Sequence, residues 1–326
     1  MLSFVVRNRK LQAASKPLPT LRRGWALIRV RRAGICNTDV EILRGYHDFH
    51  GTPGHEFVGE VAEVEGVNAA TRKKWLGNRV AGEINVTCSA YGYRPLCDFC
   101  RRGLKTHCAR RTVLGIVAQD GAFGEYLALP LENLHVVPES VSDEKAVFIE
   151  PLAAACEILD QVSIPPNSPV AVLGDGKLGI LIALVLRANG YPVRHFGKHV
   201  EKLRISGAKF STDPPPAAAF DWVVDATGHP DGLRAAVAAA RPRGTLILKP
   251  TVHGTVPVDT APIIVNEITL IGSRCGRFEA SLPLLDHGVV KVEPLIADRF
   301  PLAEAPRAFA RAAERGVLKV LLTGTA

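Results

Sequence analysis

Residues 168–197 read SPVAVLGDGKLGILIALVLRANGYPVRHFG, and the order of pieces in this stretch decides the fold. Val170–Leu173 is a short apolar run of the kind buried on both faces of a parallel sheet. Gly174, Gly176 and Gly179 follow in G-x-G-x-x-G spacing. Apolar residues then recur with helical period until Asn189 and Gly190 stop them, and PVRHF opens a second strand. A glycine turn between strand and helix has a definite use. The first glycine permits the tight turn, the second lets the backbone approach a pyrophosphate, and the third lets helix and strand pack closely. Unpaired N–H groups at the helix N-terminus then face the phosphates. Gly174, Gly176, Lys177, Leu178 and Gly179 are therefore predicted to hold a dinucleotide.

Downstream, DWVVDATG (221–228), RGTLILKP (243–250) and EITLIGS (267–273) read as further strands, with LRAAVAAARP (233–242) a helix between the first two. Strands alternating with helices imply right-handed crossovers and a parallel sheet. Upstream the texture is different. ALIRVRRAGIC (26–36), HEFVGEVAEVEG (55–66), GNRVAGEI (77–84) and GAFGEYLALP (121–130) alternate apolar and polar residues and end at turns. The character changes near residue 143, where DEKAVFIEPLAAACEILDQV reads as one helix. After residue 278 come two short helices, FEASLPLLDHG and LAEAPRAFARAAERG, and a last strand, VLKVLL. The expected architecture is α/β. A β-rich catalytic domain takes residues 1–144 and 278–326, and a doubly wound, Rossmann-type parallel-sheet domain takes 145–277.

A second feature bears on which dinucleotide is bound. Units of this kind that take NAD place Asp or Glu about 20 residues after the turn, to accept from the ribose hydroxyl. No carboxylate occurs between Asp175 and Glu201. PVRHF runs instead into Lys198 and His199, then Lys202 and Arg204, cations suited to a 2′-phosphate. The sequence thus favours NADP(H) over NAD(H), with Lys198, His199 and Lys202 at the adenosine end. Thr227, in the DATG segment after Asp225, is placed on the cofactor side.

The composition limits the alternatives. The chain has 326 residues, nearly half of them apolar, and a formal net charge of +8. Its basic residues are spread along the chain, so a solvated basic surface accounts for the charge and no nucleic-acid partner is expected. No apolar run is long enough to span a bilayer, and no membrane partner is expected. MLSFVVRNRK lacks a secretory pattern, which favours the cytoplasm. Of seven cysteines, Cys88, Cys97, Cys100 and Cys108 crowd into one segment. In a cytosolic protein such crowding points to metal rather than disulfides.

GICNTDVEILRG (34–45) and TPGHEFVGEV (52–61) carry the sharpest signal. Together with the glycine turn and the cysteine segment, they resemble the zinc-containing medium-chain dehydrogenase/reductase family of alcohol, sorbitol and threonine dehydrogenases. The resemblance runs over essentially the whole chain and implies a GroES-like fold for the β-rich domain. It also implies a catalytic zinc on Cys36 and His55, with Thr38 relaying the substrate proton and Asp39 hydrogen-bonding the ligating histidine. The chemistry of the residues agrees: zinc takes thiolate, imidazole and carboxylate in a tetrahedron with one position open, and a carboxylate behind the histidine fixes its orientation. Glu150, in the segment FIEPL, is the preferred third ligand. Cys156 lies about 240° further round a helix and is disfavoured. Glu56 is the alternative, as an exchanging ligand or a supporting carboxylate. Cys97, Cys100 and Cys108 match the last three cysteines of the family's structural-zinc lobe, and Cys88, behind a longer spacer, is expected to complete the set. His47 and His50 are candidates for extending the proton relay, although a surface loop suits both.

The resemblance implies hydride transfer between an alcohol, a polyol, sugar or similar hydroxylated molecule, and the dinucleotide, in a homodimer or homotetramer. Three other readings compete with this: a zinc-free reductase of the same fold, a non-catalytic zinc protein that keeps the fold, and a nucleic-acid binder built on the cysteine lobe. The Cys36/His55 pair speaks against the first.

Overall fold

The protein is described by a computed structural model covering residues 1–250 and 256–324. In chain order its elements are β1 (Leu2–Arg7), β2 (Lys10–Ser15), β3 (Trp25–Ile35), α1 (Asn37–Leu43), β4 (Glu56–Val64), α2 (Ala69–Trp75), β5 (Arg79–Gly82) and β6 (Asn85–Val86). They continue with α3 (Asp98–Arg101), β7 (Thr112–Leu114), β8 (Ala118–Gln119), β9 (Tyr126–Pro130), β10 (Leu134–Val136), α4 (Asp143–Ala146) and α5 (Ile149–Gln161). The glycine-turn region holds β11 (Val170–Leu173), α6 (Lys177–Ala188), β12 (Val193–Phe196), α7 (Val200–Ile205), β13 (Lys209–Ser211), β14 (Phe220–Asp225), α8 (Pro230–Ala239), β15 (Ala240–Leu248), α9 (Ala261–Val265) and β16 (Thr269–Gly272). The chain ends with α10 (Phe278–Asp286), β17 (Ile296–Pro301), α11 (Ala305–Ala313) and β18 (Lys319–Thr323).

Two compact units result, one of Met1–Glu150 with Ile296–Ala326 and one of Pro151–Leu295. Both divisions fall later than expected, for a local reason in each case. Asp143 pairs with Arg31 at 2.8 Å and Arg79 at 3.0 Å, and Glu144 with Arg299 at 2.6 Å, so α4 belongs to the first unit. The single helix expected over 143–162 is split accordingly into α4 and α5. At the other end, a Cβ on Gly276 would lie 1.9 Å from the Ala153 carbonyl oxygen, and Arg277 pairs with Asp160. The segment that leads into α10 is thereby fastened to α5, and α10 falls in the second unit.

The first unit's main sheet has the order β10-β5-β4-β3-β18-β17, with β9 also on β3. The C-terminal strand β18 lies antiparallel to β3, with Val320 opposite Ile35. The hairpin β1–β2 was not foreseen. Its turn residues Asn8 and Arg9 both have positive φ, as a type I′ turn demands, and Arg9 stands where glycine is the usual signal.

The second unit is a six-stranded sheet in the order β13-β12-β11-β14-β15-β16, every pairing parallel. This is the doubly wound order, with its switch point between β11 and β14. Helix α6 is buried nearly all round, through Ile180, Leu181, Ile182, Ala183, Val185 and Leu186.

Candidate functional site

In the first unit, β3 ends at Ile35 and Cys36 is the N-cap of α1. Asp39, at the third helical position, is fully buried. Its Oδ2 accepts the Cys36 N–H at 2.8 Å and its Oδ1 accepts the Gly54 N–H at 3.1 Å. One carboxylate thus caps the helix and ties the Cys36 segment to the His55 segment. The peptide before His55 needs glycine on every side. Gly54 has φ +98°, and a Cβ on Gly115 or Gly121 would stand 2.3 or 2.1 Å from the Gly54 carbonyl oxygen.

His55 is 3% exposed. Its Nδ1 lies 3.4 Å from Asp39 Oδ1 and makes no hydrogen bond among the described residues. Burial pushes its pKa down, but the Asp39 carboxylate and the Cys36 side chain more than reverse this, so it stands well above the ordinary histidine value. Thr38 Oγ1 is 3.8 Å from Cys36 Sγ, beside the thiol that the sequence assigns to the metal. His47 and His50 are exposed, as their loop position led one to expect.

Cys36, His55 and Glu56 each offer a donor atom, and all three atoms lie within 4.8 Å of one another. Glu150, the third ligand preferred from sequence, is not in this group. It stands close enough for charges on His55, Glu56 and Lys319 to act on it, and burial is the main cause that pushes its pKa up to about 7. Its carboxylate makes no hydrogen bond or ion pair among the described residues, whereas Glu56 is engaged. Glu56 Oε2 pairs with the Lys319 ammonium, and both residues are 1% exposed.

Lys319 escaped the sequence reading. It lies 263 residues from Glu56 along the chain and is brought to it by β18 pairing with β3. The only sequence trace is a lysine in the middle of the apolar strand VLKVLL. Gly34 makes room for the pair: a Cβ there would fall 2.7 Å from Glu56 Oε2 and 3.2 Å from Lys319 Cδ.

The donor set fits zinc: a thiol, an orphaned buried imidazole and carboxylates are what a catalytic zinc site uses. The cysteine lobe fits a second zinc. Cys88, Cys97, Cys100 and Cys108 bring all four sulfurs within 4.8 Å of one another. The Cys97–Cys108 separation is 3.7 Å, and a tetrahedron with Zn–S of about 2.3 Å has edges of about 3.8 Å. The long spacer after Cys88 does not keep that residue away. Its N–H donates to Cys108 Sγ at 3.3 Å.

In the second unit, Gly174 has φ +113°, and a Cβ on Gly179 would lie 1.9 Å from the Gly174 carbonyl oxygen. The turn and the start of α6 are therefore in the close contact the spacing implied, with Lys177 and Leu178 in the first helical turn. Thr227 donates through both N–H and Oγ1 to Asp225 Oδ1, at 2.9 and 2.7 Å, at the end of β14, next to β11 in the sheet. Lys198 and His199 are exposed and Lys202 half-buried at the start of α7. The end of β12 is not without a carboxylate, however. Asp175 Oδ2 accepts from Lys198 N–H at 2.6 Å and His199 N–H at 2.7 Å. The expectation of NADP(H), which rested on a missing carboxylate, meets one that arrives from the glycine turn.

Residues 22–139 match the family described as alcohol dehydrogenase GroES-like domain. A sorbitol dehydrogenase of Halalkalibacterium halodurans is 30% identical over 94% of each chain. Among solved structures, the rspB alcohol dehydrogenase of Escherichia coli CFT073, complexed with NADH, is 29% identical with TM-score 0.86 over 99% of each chain. A structure from Sinorhizobium meliloti 1021 bound to NADP is 25% identical, with TM-score 0.86 over 99% of each chain.

Proposed function

The chain belongs to the medium-chain dehydrogenase/reductase family, and from that premise we propose that it is a zinc-dependent dehydrogenase of a polyol or related hydroxylated substrate. The observation that carries this reading is the gathering of Cys36, His55 and Glu56 at one point, with Glu150 close enough for the charges of His55 and Glu56 to act on it. Sorbitol dehydrogenase among the relatives supports a polar substrate. When bound, zinc would supply a Lewis acid that acidifies an alcohol, and the dinucleotide would supply a hydride acceptor.

The chain's own residues do the rest. Cys36 and His55 hold the metal, and Asp39 keeps both segments in place. Glu56 is held by Lys319, so Glu150, whose carboxylate is unengaged, closes the set. Thr38 Oγ1 carries the hydroxyl proton away. The glycine turn holds the pyrophosphate, and the four cysteines hold a structural zinc. Of the two dinucleotides, Lys198 and Lys202 favour the phosphorylated one by charge, while the Asp175 carboxylate favours the other. The chain assembles as a homo-oligomer through β16, the edge of the parallel sheet, where Leu270 is exposed, and the preceding α9, where Ile264 and Val265 are exposed; light scattering tests the oligomeric state.

The test of the function is a panel of polyols, sugars and simple alcohols with each dinucleotide, read by nicotinamide absorbance, together with metal analysis. Two zinc ions per chain and turnover abolished in Cys36→Ala are expected. A zinc-loaded protein that binds a dinucleotide yet oxidises nothing in the panel, nor reduces the matching carbonyls, is the result against it.

A further inference from the structure

Asp175 sits between the first two glycines of the turn, but its side chain serves another place. Its Oδ2 takes the Lys198 and His199 N–H groups and lies 3.0 Å from His199 Nδ1. Gly197 directly follows β12, and a Cβ on it would stand 2.6 Å from Asp175 Cβ and 2.8 Å from Asp175 Oδ2. The Asp175 side chain therefore fills the space that a side chain at position 197 would occupy. That position, at the end of the second strand and about 20 residues after the turn, is where a dinucleotide unit carries the carboxylate that accepts from the ribose 2′-hydroxyl.

We propose that Asp175 is the specificity-determining residue for the cofactor, supplying the ribose carboxylate from the glycine turn and making NAD(H) the preferred dinucleotide. This rests on the reading of the chain as a nicotinamide-dependent dehydrogenase. Three observations carry it. Gly197 leaves the room that the Asp175 side chain needs, which joins two distant positions into one feature. The two adjacent N–H groups that would cradle a 2′-phosphate are already taken by a carboxylate. Asp175 Oδ1 has no partner among the described residues and is left to accept a hydroxyl.

Burial alone would raise the Asp175 pKa, but the His199 and Lys198 N–H groups and the His199 ring outweigh it and hold it below its ordinary value. The group is therefore charged at neutral pH and repels a phosphate dianion. Lys198 is exposed, so its attraction is screened, whereas the Asp175 side chain is only 15% exposed.

Calorimetric titration of the full chain with NADH and with NADPH tests this without turnover. The wild type is expected to bind NADH about tenfold or more tightly than NADPH, as a charge-assisted hydrogen bond gained or lost implies. Asp175→Asn keeps an acceptor for the loop and removes the charge, and it should erase most of that ratio. Asp175→Gly/Gly197→Asp moves the carboxylate to the strand end and should restore it. Equal or tighter binding of NADPH by the wild type overturns the proposal, whether or not the variants fold. So does an unchanged ratio in a folded Asp175→Asn protein. Binding of neither dinucleotide to the wild type overturns the dehydrogenase reading itself.

Discussion

Replacing Lys319 by methionine in metal-free protein isolates the buried pair beside the proposed zinc ligands. Lys319 and Glu56 are each 1% exposed, and their side chains are in direct contact. Methionine keeps most of the apolar stem, so the change removes charge more than volume. Deleting one partner of a buried pair destabilises by about 3–5 kcal/mol, because the other charge is left uncompensated. The ammonium also lies 5.7 Å from the Phe148 ring centroid, which adds about 0.5–1 kcal/mol. We expect about 4 kcal/mol, or a melting temperature lower by roughly 8–16 °C for a unit of this size. Scanning calorimetry and urea unfolding after dialysis against chelator measure it. Glu56→Gln/Lys319→Met removes both charges and should recover most of the loss. Added zinc should narrow the gap for the single variant, since a dication can take up the stranded Glu56 carboxylate. A single variant within about 0.5 kcal/mol of wild type, or a double variant no better than the single, refutes the reasoning; the first is the size of an ordinary surface substitution.

Gly179→Ala places a methyl group 1.9 Å from the Gly174 carbonyl oxygen and should abolish dinucleotide binding by calorimetry while leaving zinc content intact. Binding at wild-type affinity would show that the turn does not hold the pyrophosphate. Glu150, raised to about 7 mainly by burial, is largely protonated below that value in metal-free protein and must lose its proton to ligate. Zinc affinity should therefore fall as pH drops through 7, and Glu150→Gln should release fewer protons on zinc binding, measured by titration in buffers of different ionisation enthalpy. Equal proton release in the two proteins would remove Glu150 from the ligand set. In the cysteine lobe, N–H groups of Cys100 and Ala109 are the main cause that lowers the Cys97 thiol to about 6, whereas burial raises the Cys100 thiol. Iodoacetamide at pH 7 should alkylate Cys97 first in metal-free protein and spare it once zinc is added. Mass mapping that finds Cys100 labelled first, or no protection by zinc, contradicts this.

The features that the sequence determined by itself are local ones. The glycine turn, the β11–turn–α6 order, the alternation of strands and helices, and the Cys36 and His55 motifs each depend on residues near in sequence, whose spacing dictates backbone shape and side-chain direction. Even Cys88, behind its long spacer, was legible, because four thiols need to converge but need no fixed loop length. β13 was not legible: its three residues form a largely exposed edge strand with no apolar pattern to mark it. The hairpin β1–β2 was hidden by a turn that lacks its usual glycine.

The tertiary structure decided two matters that no local rule reaches. Pairing of β18 with β3 set Lys319 against Glu56, which engages the nearer carboxylate and leaves Glu150 unengaged. Parallel pairing of β11 with β12 set the glycine turn against the strand end, so that Asp175 could fill the space left by Gly197. In both cases a charge was compensated or supplied by a residue distant in sequence, because electrostatics acts through space and the chain's connectivity does not record it.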